Sequence, residues 1–353
     1  MSKTFTKLGD WLKTNLFSSY ANSFVSLVLI LLVIWTLPPL LNWLLFSADF
    51  AGNTKEACDS GGACWVFIKV RLSQFIYGFY PTSELWRVNL SLIIVALGIF
   101  GSLSGKMGPK SWWLIITSTG IPLFVWLFLT GSLFGLTLVE TSSWGGLLVT
   151  LVISFVGIAF SLPLGIILAL ARRSSMPVLK VLSTIFIESW RGVPLITVLF
   201  MSSVMFPIFL PEGWQIDKLL RALLGVLFFA SAYMAEVIRG GLQAIPKGQY
   251  EASDALAMSY WQKQRFIILP QALKHVIPGI VNNFIALFKD TTLVSIIGMY
   301  DLLGIAKSAQ SDPEWLGYTT EGYVFAGFVF WIFCFLMSRY SLSLEKDLTK
   351  NTH

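Results

Sequence analysis

Residues 145–171 read GGLLVTLVISFVGIAFSLPLGIILALA and contain no charged side chain. A helix needs about 20 predominantly apolar residues to cross the hydrocarbon core of a bilayer, so this stretch is long enough to span a membrane. The composition agrees, because 55% of the 353 residues are hydrophobic and 12% are charged, against about a quarter charged in soluble domains. Long apolar runs, rather than short alternating segments, favour helices over a β-barrel. We therefore predict an all-α polytopic membrane protein.

The same length criterion predicts about eight transmembrane helices. Their approximate limits are 22–46, 88–105, 112–130, 145–171, 181–206, 219–238, 276–297 and 322–340. We divide the chain near residue 140. Residues 1–140 form an N-terminal extension with three of these helices and a loop outside the membrane, residues 141–345 form a core with five helices, and residues 346–353 form a tail.

Basic residues distinguish the two sides of the predicted membrane. If both termini are cytoplasmic, the following residues all fall on the cytoplasmic side, as the positive-inside rule requires: Lys3, Lys7, Lys13, Lys106, Lys110, Arg172, Arg173, Lys180, Arg239, Lys247, Lys263, Arg265, Lys274, Arg339, Lys346 and Lys350. The loop 47–87 is the exception, because it is basic although it falls on the outer side; long loops weigh less in the rule. We attribute the net charge of +6 to these loops and not to nucleic-acid binding.

The three cysteines lie in different settings. Cys334 belongs to an apolar run and is expected to be an inert core thiol. Cys58 and Cys64 share the loop that we place outside the membrane, where disulfides persist. We predict a disulfide between them, with two unpaired thiols as the alternative.

The polar segment between the sixth and seventh predicted helices carries the most specific pattern. It contains Glu251-Ala252-Ser253, three residues, Ala257, nine residues, and then Ile267-x-Leu269-Pro270. We predict a short helix over 249–258 and a second helix from about Trp261, which Pro270 stops. Two short helices joined at a corner of small residues form a knob that can insert into a groove. The alternative is an ordinary amphipathic linker.

These intervals resemble the EAA loop of ABC-importer permeases, which reads E-A-A, three residues, Gly, nine residues, I-x-L-P. Ser253 stands in place of Ala, and Ala257 in place of Gly, so the corner is expected to differ slightly. Three further segments resemble polar amino-acid permeases: residues 187–195 (IESWRGVPL) are similar to E-x-x-R-G-T-P-L, 233–241 (YMAEVIRGG) to A-E-x-x-R-G-G, and 288–293 (FKDTTL) to K-D-T-S-L. Over about 141–345 the chain therefore resembles the permease subunits of polar amino-acid ABC importers, of the histidine, glutamine, glutamate and general L-amino-acid type.

The resemblance implies a fold, a location and a set of partners. It implies a C-terminal five-helix core of the type-I ABC importer permease in a bacterial inner membrane. The EAA loop, residues 249–270, would couple to the ATPase through Glu251, Ala252, Ser253, Asp254, Ala257, Arg265, Leu269 and Pro270. The implied partners are an ABC ATPase dimer, a second and non-identical permease in a heterodimer, an extracytoplasmic amino-acid-binding protein, the amino-acid substrate and membrane lipid.

The chain has no sequence signature of its own ATPase site. Residues 101–107, GSLSGKM, have the wrong spacing for a phosphate-binding loop, and Met replaces the Ser or Thr. His275 and His353 lack metal ligands at suitable spacing, so no metal site is predicted. We expect no cofactor in this chain, with ATP and Mg²⁺ bound in the partner ATPase.

Ionisable residues inside membrane helices are costly and usually mark a substrate path. Glu188 and Arg191 are three residues apart and can pair, and Gly192 and Pro194, which follow at once, should break their helix there. A broken helix can line a cavity, in which Arg suits the carboxylate of an amino acid. The alternative for this pair is a structural ion pair.

The seventh predicted helix adds further candidates for the substrate path, namely Asn282, Asn283, Lys289, Asp290 and Thr291. Their alternative role is hydrogen bonding between helices. For Glu236 and Arg239 we expect an architectural pair near the end of the sixth helix.

Two other functions compete with an ABC importer. An ion-coupled secondary amino-acid transporter would use buried charges but has no use for an EAA loop. A non-transporting membrane scaffold would use neither. Replacement of Glu251 distinguishes an ABC importer from a secondary transporter, because only the ABC subunit should lose coupling to an ATPase.

Overall fold

The structure is a computed structural model that describes residues 10–104, 113, 116–132 and 135–350, with the side chains of 103, 104 and 347–350 excepted. Lys3, Lys7, Lys106, Lys110 and His353, named above, lie outside the described residues. The chain forms two compact units. The first contains the residues up to Arg71 together with Pro313–Glu321, and the second contains Leu72–Asp312 and the residues from Gly322 onward. The predicted division near residue 140 is a different partition and stays a prediction.

Helices make up nearly all of the regular structure. They are α1 Tyr20–Leu41, α2 Trp65–Tyr77, α3 Leu85–Ser104, α4 Ile121–Thr130, α5 Gly146–Arg172, α6 Pro177–Arg191, α7 Leu195–Phe200, α8 Lys218–Ala244, α9 Lys247–Ala255, α10 Tyr260–Lys263, α11 Leu269–His275, α12 Ile277–Asp290, α13 Leu302–Gln310 and α14 Thr319–Lys350. Widened π-helical turns occupy Asn42–Phe46, Ile116–Gly120, Met201–Met205 and Gln264–Ile268. Tighter 3₁₀ turns occupy Lys55–Ala57, Thr82–Glu84, Thr141–Ser143, Phe206–Phe209, Thr291–Ile297 and Pro313–Trp315, and β1 is the two-residue strand Tyr300–Asp301.

The first unit combines an apolar helix with a cross-linked loop. α1 begins at Ser19, whose side chain accepts a hydrogen bond from the backbone N–H of Asn22, and none of its residues is buried. A disulfide joins Cys58 to Cys64, with a Cα–Cα distance of 5.5 Å. The backbone N–H of Cys64 also donates to the Glu321 carboxylate at 3.2 Å. The second contact connects the loop to the first turn of α14.

The second unit is organised around α5 and α8, which pack against each other along their lengths. Small residues on α5 allow this approach. A Cβ added to Gly165 would lie 2.7 Å from the Met234 side chain on α8. Close packing through small residues is the usual way in which helices associate in a bilayer, where apolar burial between helices gives little driving force.

Among the described residues, six continuous helical segments are long and apolar enough to cross a membrane: Tyr20–Phe46, Thr82–Ser102, Gly146–Arg172, Lys218–Ala244, Ile277–Ile297 and Thr319–Lys346. Pro177–Arg191 and Leu195–Phe209 become a seventh span if the two are counted together, although they are bent by 101°. Ile116–Thr130 is apolar but shorter than a span. The all-α polytopic membrane fold is thus confirmed, whereas the predicted number of eight helices is not.

The sharp bend lies where the sequence predicts a broken helix. α6 ends at Arg191, Gly192 follows as its C-cap, and α7 starts after Pro194. Proline cannot donate a backbone hydrogen bond and its ring excludes a preceding helical turn, so the chain changes direction at this point.

Candidate functional site

The EAA-like residues lie in the segment 245–276, which joins α8 to α12 and is called the linking segment below. It consists of α9, a corner at Ala257, α10, the π-helical turn Gln264–Ile268 and α11. The prediction that Pro270 stops the second helix is wrong. Pro270 sits in the first turn of α11, and the backbone stays helical through Ile268. The π-helical turn immediately before it accommodates the proline ring and the missing N–H, so the helix continues.

The corner of the linking segment has an unusual backbone conformation. Ala257 has φ of 53° and is the only non-glycine residue with positive φ in the described part of the chain. The corner therefore has a conformation that Gly adopts readily, although the residue is Ala. On its two sides, Asp254 forms an ion pair with Lys263, and Ser259 caps α10 reciprocally with Gln262.

The linking segment packs directly on the end of α8. A Cβ added to Gly241 would lie 2.6 Å from the backbone carbonyl oxygen of Ala272 in α11, so the two helices touch through their backbones. The hydroxyl of Tyr250 in α9 donates to the carbonyl of Leu242 at 3.2 Å. Both α9 and α11 of the linking segment are thus attached to α8.

The linking segment also exposes three large apolar side chains. Leu256, Trp261 and Phe266 are 72%, 71% and 65% exposed. None of these three residues was predicted from the sequence to contact a partner. Their clustering within one short polar segment is the signal that could have identified them, because large exposed apolar side chains in such a setting mark a contact surface.

The predicted coupling residues divide into exposed and buried positions. Most of them are exposed, namely Glu251, Ala252, Asp254, Ala257, Arg265 and Pro270, and Leu269 is half-buried. Ser253 is buried, and its hydroxyl donates to the carbonyl of Tyr250 at 2.7 Å. In this structure Ser253 is therefore hydrogen-bonded within α9 and presents no surface to a partner.

Charged residues at the neighbouring ends of α5, α6 and α8 form one cluster around Glu236. Its carboxylate accepts from Arg172 at 2.7 Å and from Arg239 at 2.7 Å, and it lies 3.7 Å from Arg191. Glu188 is bonded to Arg172 at 2.7 Å. The structure therefore contains the Glu236–Arg239 pair. Glu188 instead pairs with Arg172 on α5, and Arg191 lies close to Glu236 on α8, because both side chains lie beside these two helices.

A cavity of about 280 Å³ opens among α5, α8 and α12, next to this cluster. We call it the Asp290 cavity. Its lining is Ser161, Phe229, Ala230, Tyr233, Met234, Asn283, Phe284, Ala286, Leu287 and Asp290. The Asn283 amide nitrogen is buried and has no hydrogen-bond partner among the described residues. Arg191 lies over the Tyr233 ring, 5.5 Å from its centre.

The other candidates on the seventh predicted helix lie elsewhere. Asn282 and Lys289 are exposed and do not line the Asp290 cavity. Thr291 is buried, and its hydroxyl donates to the carbonyl of Phe288 in its own helix at 2.8 Å. The structure thus brings together Asn283, Asp290 and, beside them, Arg191.

Two residues of this region had no assigned role in the sequence analysis. Arg172 was counted only as a loop charge, although it bridges Glu188 and Glu236. Tyr233 stands at the start of the quoted segment YMAEVIRGG and links the cavity to Arg191. An aromatic residue one turn before a Glu within a predicted membrane helix was the available signal.

Comparison with known proteins identifies the family. The sequence model for the binding-protein-dependent transport system inner membrane component matches residues 161–350, more than half of the chain. The chain belongs to this family. The permease is 56% identical over 336 residues to the inner membrane amino-acid ABC transporter permease protein YhdY of Escherichia coli K12, covering 95% of the permease and 92% of YhdY.

Other relatives and a solved structure agree. The permease is 38% identical over 408 residues to BztC of Rhodobacter capsulatus, a glutamate/glutamine/aspartate/asparagine transport system permease protein, covering 97% of the permease and 94% of BztC. A chain of a crystal structure titled as an amino acid ABC transporter with histidines superimposes with a TM-score of 0.51 and 30% identity, covering 57% of the permease and 92% of that chain. YhdY and BztC therefore share the N-terminal part, whereas that solved chain corresponds to little more than half of the permease.

These comparisons confirm the resemblance to amino-acid ABC permeases and the type-I importer permease fold. They also support a multi-pass protein of the inner membrane. The relatives are named as transport permeases, and none of these matches supports an ion-coupled secondary transporter.

Proposed function

We propose that the permease is a transmembrane subunit of an ATP-driven amino-acid importer and that its linking segment docks on the ATPase. The exposed apolar side chains of Leu256, Trp261 and Phe266 carry the second part of this proposal. Such side chains on a polar segment favour burial against a protein partner. The match to the EAA intervals in the same segment supports an ATPase as that partner.

The remaining partners follow from the family and from the charge distribution. A system of this family depends on a binding protein, which would deliver substrate on the outer face. ATP and Mg²⁺ would be bound by the ATPase dimer and not by the permease. We propose a second, non-identical permease as the membrane partner. The positive charges flanking the helices support cytoplasmic termini and a cytoplasmic linking segment.

The Asp290 cavity suits one end of an amino-acid path. Asp290 supplies an anionic group for an ammonium ion. The amide nitrogen of Asn283 is an unused donor for a carboxylate, and the Nε of Arg191 is likewise buried without a hydrogen-bond partner among the described residues. A zwitterion needs both kinds of partner at close range, and a buried donor without one is costly. The names of YhdY and BztC support amino acids as the substrate class.

Affinity purification of the tagged permease from native membranes tests the proposal. Mass spectrometry should find an ATPase in stoichiometric amount. Removal of a central aromatic anchor typically costs about 2 kcal/mol or more of binding free energy, so Trp261→Ala should weaken ATPase binding about thirtyfold and lower ATPase recovery. Glu251→Arg should also release the ATPase.

Trp214→Ala provides the matched control, because Trp214 is equally exposed but lies between α7 and α8, outside the linking segment. It should leave ATPase recovery unchanged. Recovery of the wild-type permease without an ATPase, or equal recovery from Trp261→Ala and wild type, would contradict the docking proposal.

A further inference from the structure

A second cavity, of about 270 Å³, lies within the second unit, where α3 and α4 meet α5, α12 and α14. We call it the apolar cavity. Residues of α3, α4, α5, α12 and α14 line it, and no charged residue is among them. An amino-acid zwitterion has no ionic partner there, so the occupant must be apolar over most of its length.

Two polar atoms interrupt this apolar lining at one end. Ser91 in α3 and Trp144, just before α5, are each only 2% exposed. The Ser91 hydroxyl and the Trp144 indole N–H have no hydrogen-bond partner in the described part of the chain. Both groups can donate to an acceptor, and a buried donor without an acceptor is costly. The cavity is therefore suited to a molecule with an apolar body and an acceptor near one end.

The shape of the cavity restricts the occupant further. Its lining on α5 extends from near Trp144 to Ile158, which corresponds to about 20 Å at 1.5 Å rise per residue. One leaflet contributes about 15 Å, half of the hydrocarbon core. Ile99, which is 40% exposed, brings one part of the lining to the surface of the chain. The cavity is thus long enough for one acyl chain and open for its entry from the bilayer.

We propose that the apolar cavity binds an acyl chain of a membrane glycerophospholipid, with Trp144 and Ser91 donating to the ester carbonyl at its end. Ester carbonyls lie at the boundary between headgroups and hydrocarbon. Trp144 lies two residues before the start of α5, and Ser91 is the seventh residue of α3, about 9 Å from its start. The bound chain fills the space between α3, α4 and α5. It thereby forms part of the packing that joins the extension to the core.

Photo-crosslinking tests this site directly. The purified permease complex is placed in phosphatidylethanolamine nanodiscs that contain a phospholipid with a diazirine in one acyl chain. After illumination, peptides with lipid adducts are quantified by mass spectrometry. Wild type should carry adducts on cavity-lining peptides of α3 and α5. Val152→Trp places a large side chain in the cavity and should reduce these adducts about tenfold, which corresponds to 1.4 kcal/mol.

Ile167→Trp is the matched control, since Ile167 lies on the same helix but is exposed outside the cavity. It should leave the adducts on the lining peptides unchanged. Equal labelling of all lipid-facing peptides, or equal labelling of Val152→Trp and wild type, would overturn the proposal.

A second pair of variants covers the case in which Val152→Trp fails to fold. Trp144→Phe and Ser91→Ala keep the cavity apolar and remove one donor each. Loss of one hydrogen bond should reduce phospholipid labelling about fivefold, while labelling by a diazirine-bearing alkane, which lacks a carbonyl, stays unchanged. Unchanged phospholipid labelling in both variants would show that the donors do not hold the lipid.

Discussion

Glu236 and Arg172 are 64 positions apart in the chain, and a 2.7 Å hydrogen bond from Nη1 to Oε1 connects them. This bond joins the end of α5 to α8, and Arg172 extends the connection to Glu188 on α6. The Glu236 side chain is 15% exposed, whereas that of Glu188 is 54% exposed. The two carboxylates therefore differ in how much water competes for their Arg partners.

Glu236→Gln should destabilise the permease by about 2 kcal/mol, because it leaves three Arg side chains around a neutral amide in a partly buried site. Glu188→Gln, which changes an exposed pair, should cost about 0–1 kcal/mol. Thermal unfolding of the purified protein measures both. Equal effects of the two variants would show that Glu236 does not organise the cluster.

Gly241→Ala should disrupt the attachment of the linking segment. Its Cβ would lie 2.6 Å from the Ala272 carbonyl, so α11 must move away from α8. Gly240→Ala is the natural control, because a Cβ there meets nothing within 4 Å. Gly240→Ala should be neutral or stabilising by about 1 kcal/mol through helix propensity.

Hydrogen exchange of residues 245–276 measures the effect of both Gly variants. Faster exchange is expected in Gly241→Ala alone. Similar exchange in the two variants would contradict the close backbone contact.

Ala257→Gly should stabilise the corner of the linking segment. An L-residue in the left-handed region costs roughly 1–2 kcal/mol, which Gly does not incur, although Gly adds freedom to the unfolded chain. The net gain should be about 1 kcal/mol or less. Ala252→Gly, in the middle of α9, should instead destabilise by about 1 kcal/mol. Opposite shifts in local exchange protection are the expected outcome, and destabilisation by both would refute the left-handed corner.

Asn283→Ala should reduce amino-acid uptake far more than Asn282→Ala. The two residues are adjacent and of the same type, but only Asn283 lines the Asp290 cavity. Loss of a hydrogen bond to a charged carboxylate costs about 1.5–3 kcal/mol, which corresponds to at least a tenfold weaker apparent affinity. Uptake into vesicles containing the assembled transporter measures it. Equal uptake by the two variants would remove Asn283 from the path.

Much of the fold follows from local properties of the chain. Runs such as 145–171 are apolar enough to predict a membrane helix, and Gly192 with Pro194 predicts the break between α6 and α7. Pro270 was misjudged because local rules treat proline as a stop. The π-helical turn ahead of it depends on how α11 packs against α8.

The site could be predicted only in part, for a geometric reason. Neighbouring residues on a helix point about 100° apart, so Asn282 and Asn283 lie on different faces. The seven-residue spacings to Lys289 and Asp290 define two stripes but do not say which one faces α5 and α8. Likewise, the spacing of Glu188 and Arg191 allows them to pair within one helix. Arg172 becomes the partner of Glu188 only when folding brings α5 beside α6.

The continuity of α8 has a consequence for energy transfer. The helix carries Tyr233 at the Asp290 cavity and Gly241 at the linking segment, about 12 Å apart along one unbroken axis. Movement at one position is transmitted to the other without a flexible joint. Suppose that an ATPase binds at the linking segment and changes the affinity for substrate by some factor. Thermodynamic linkage then requires that bound substrate change the affinity for the ATPase by the same factor.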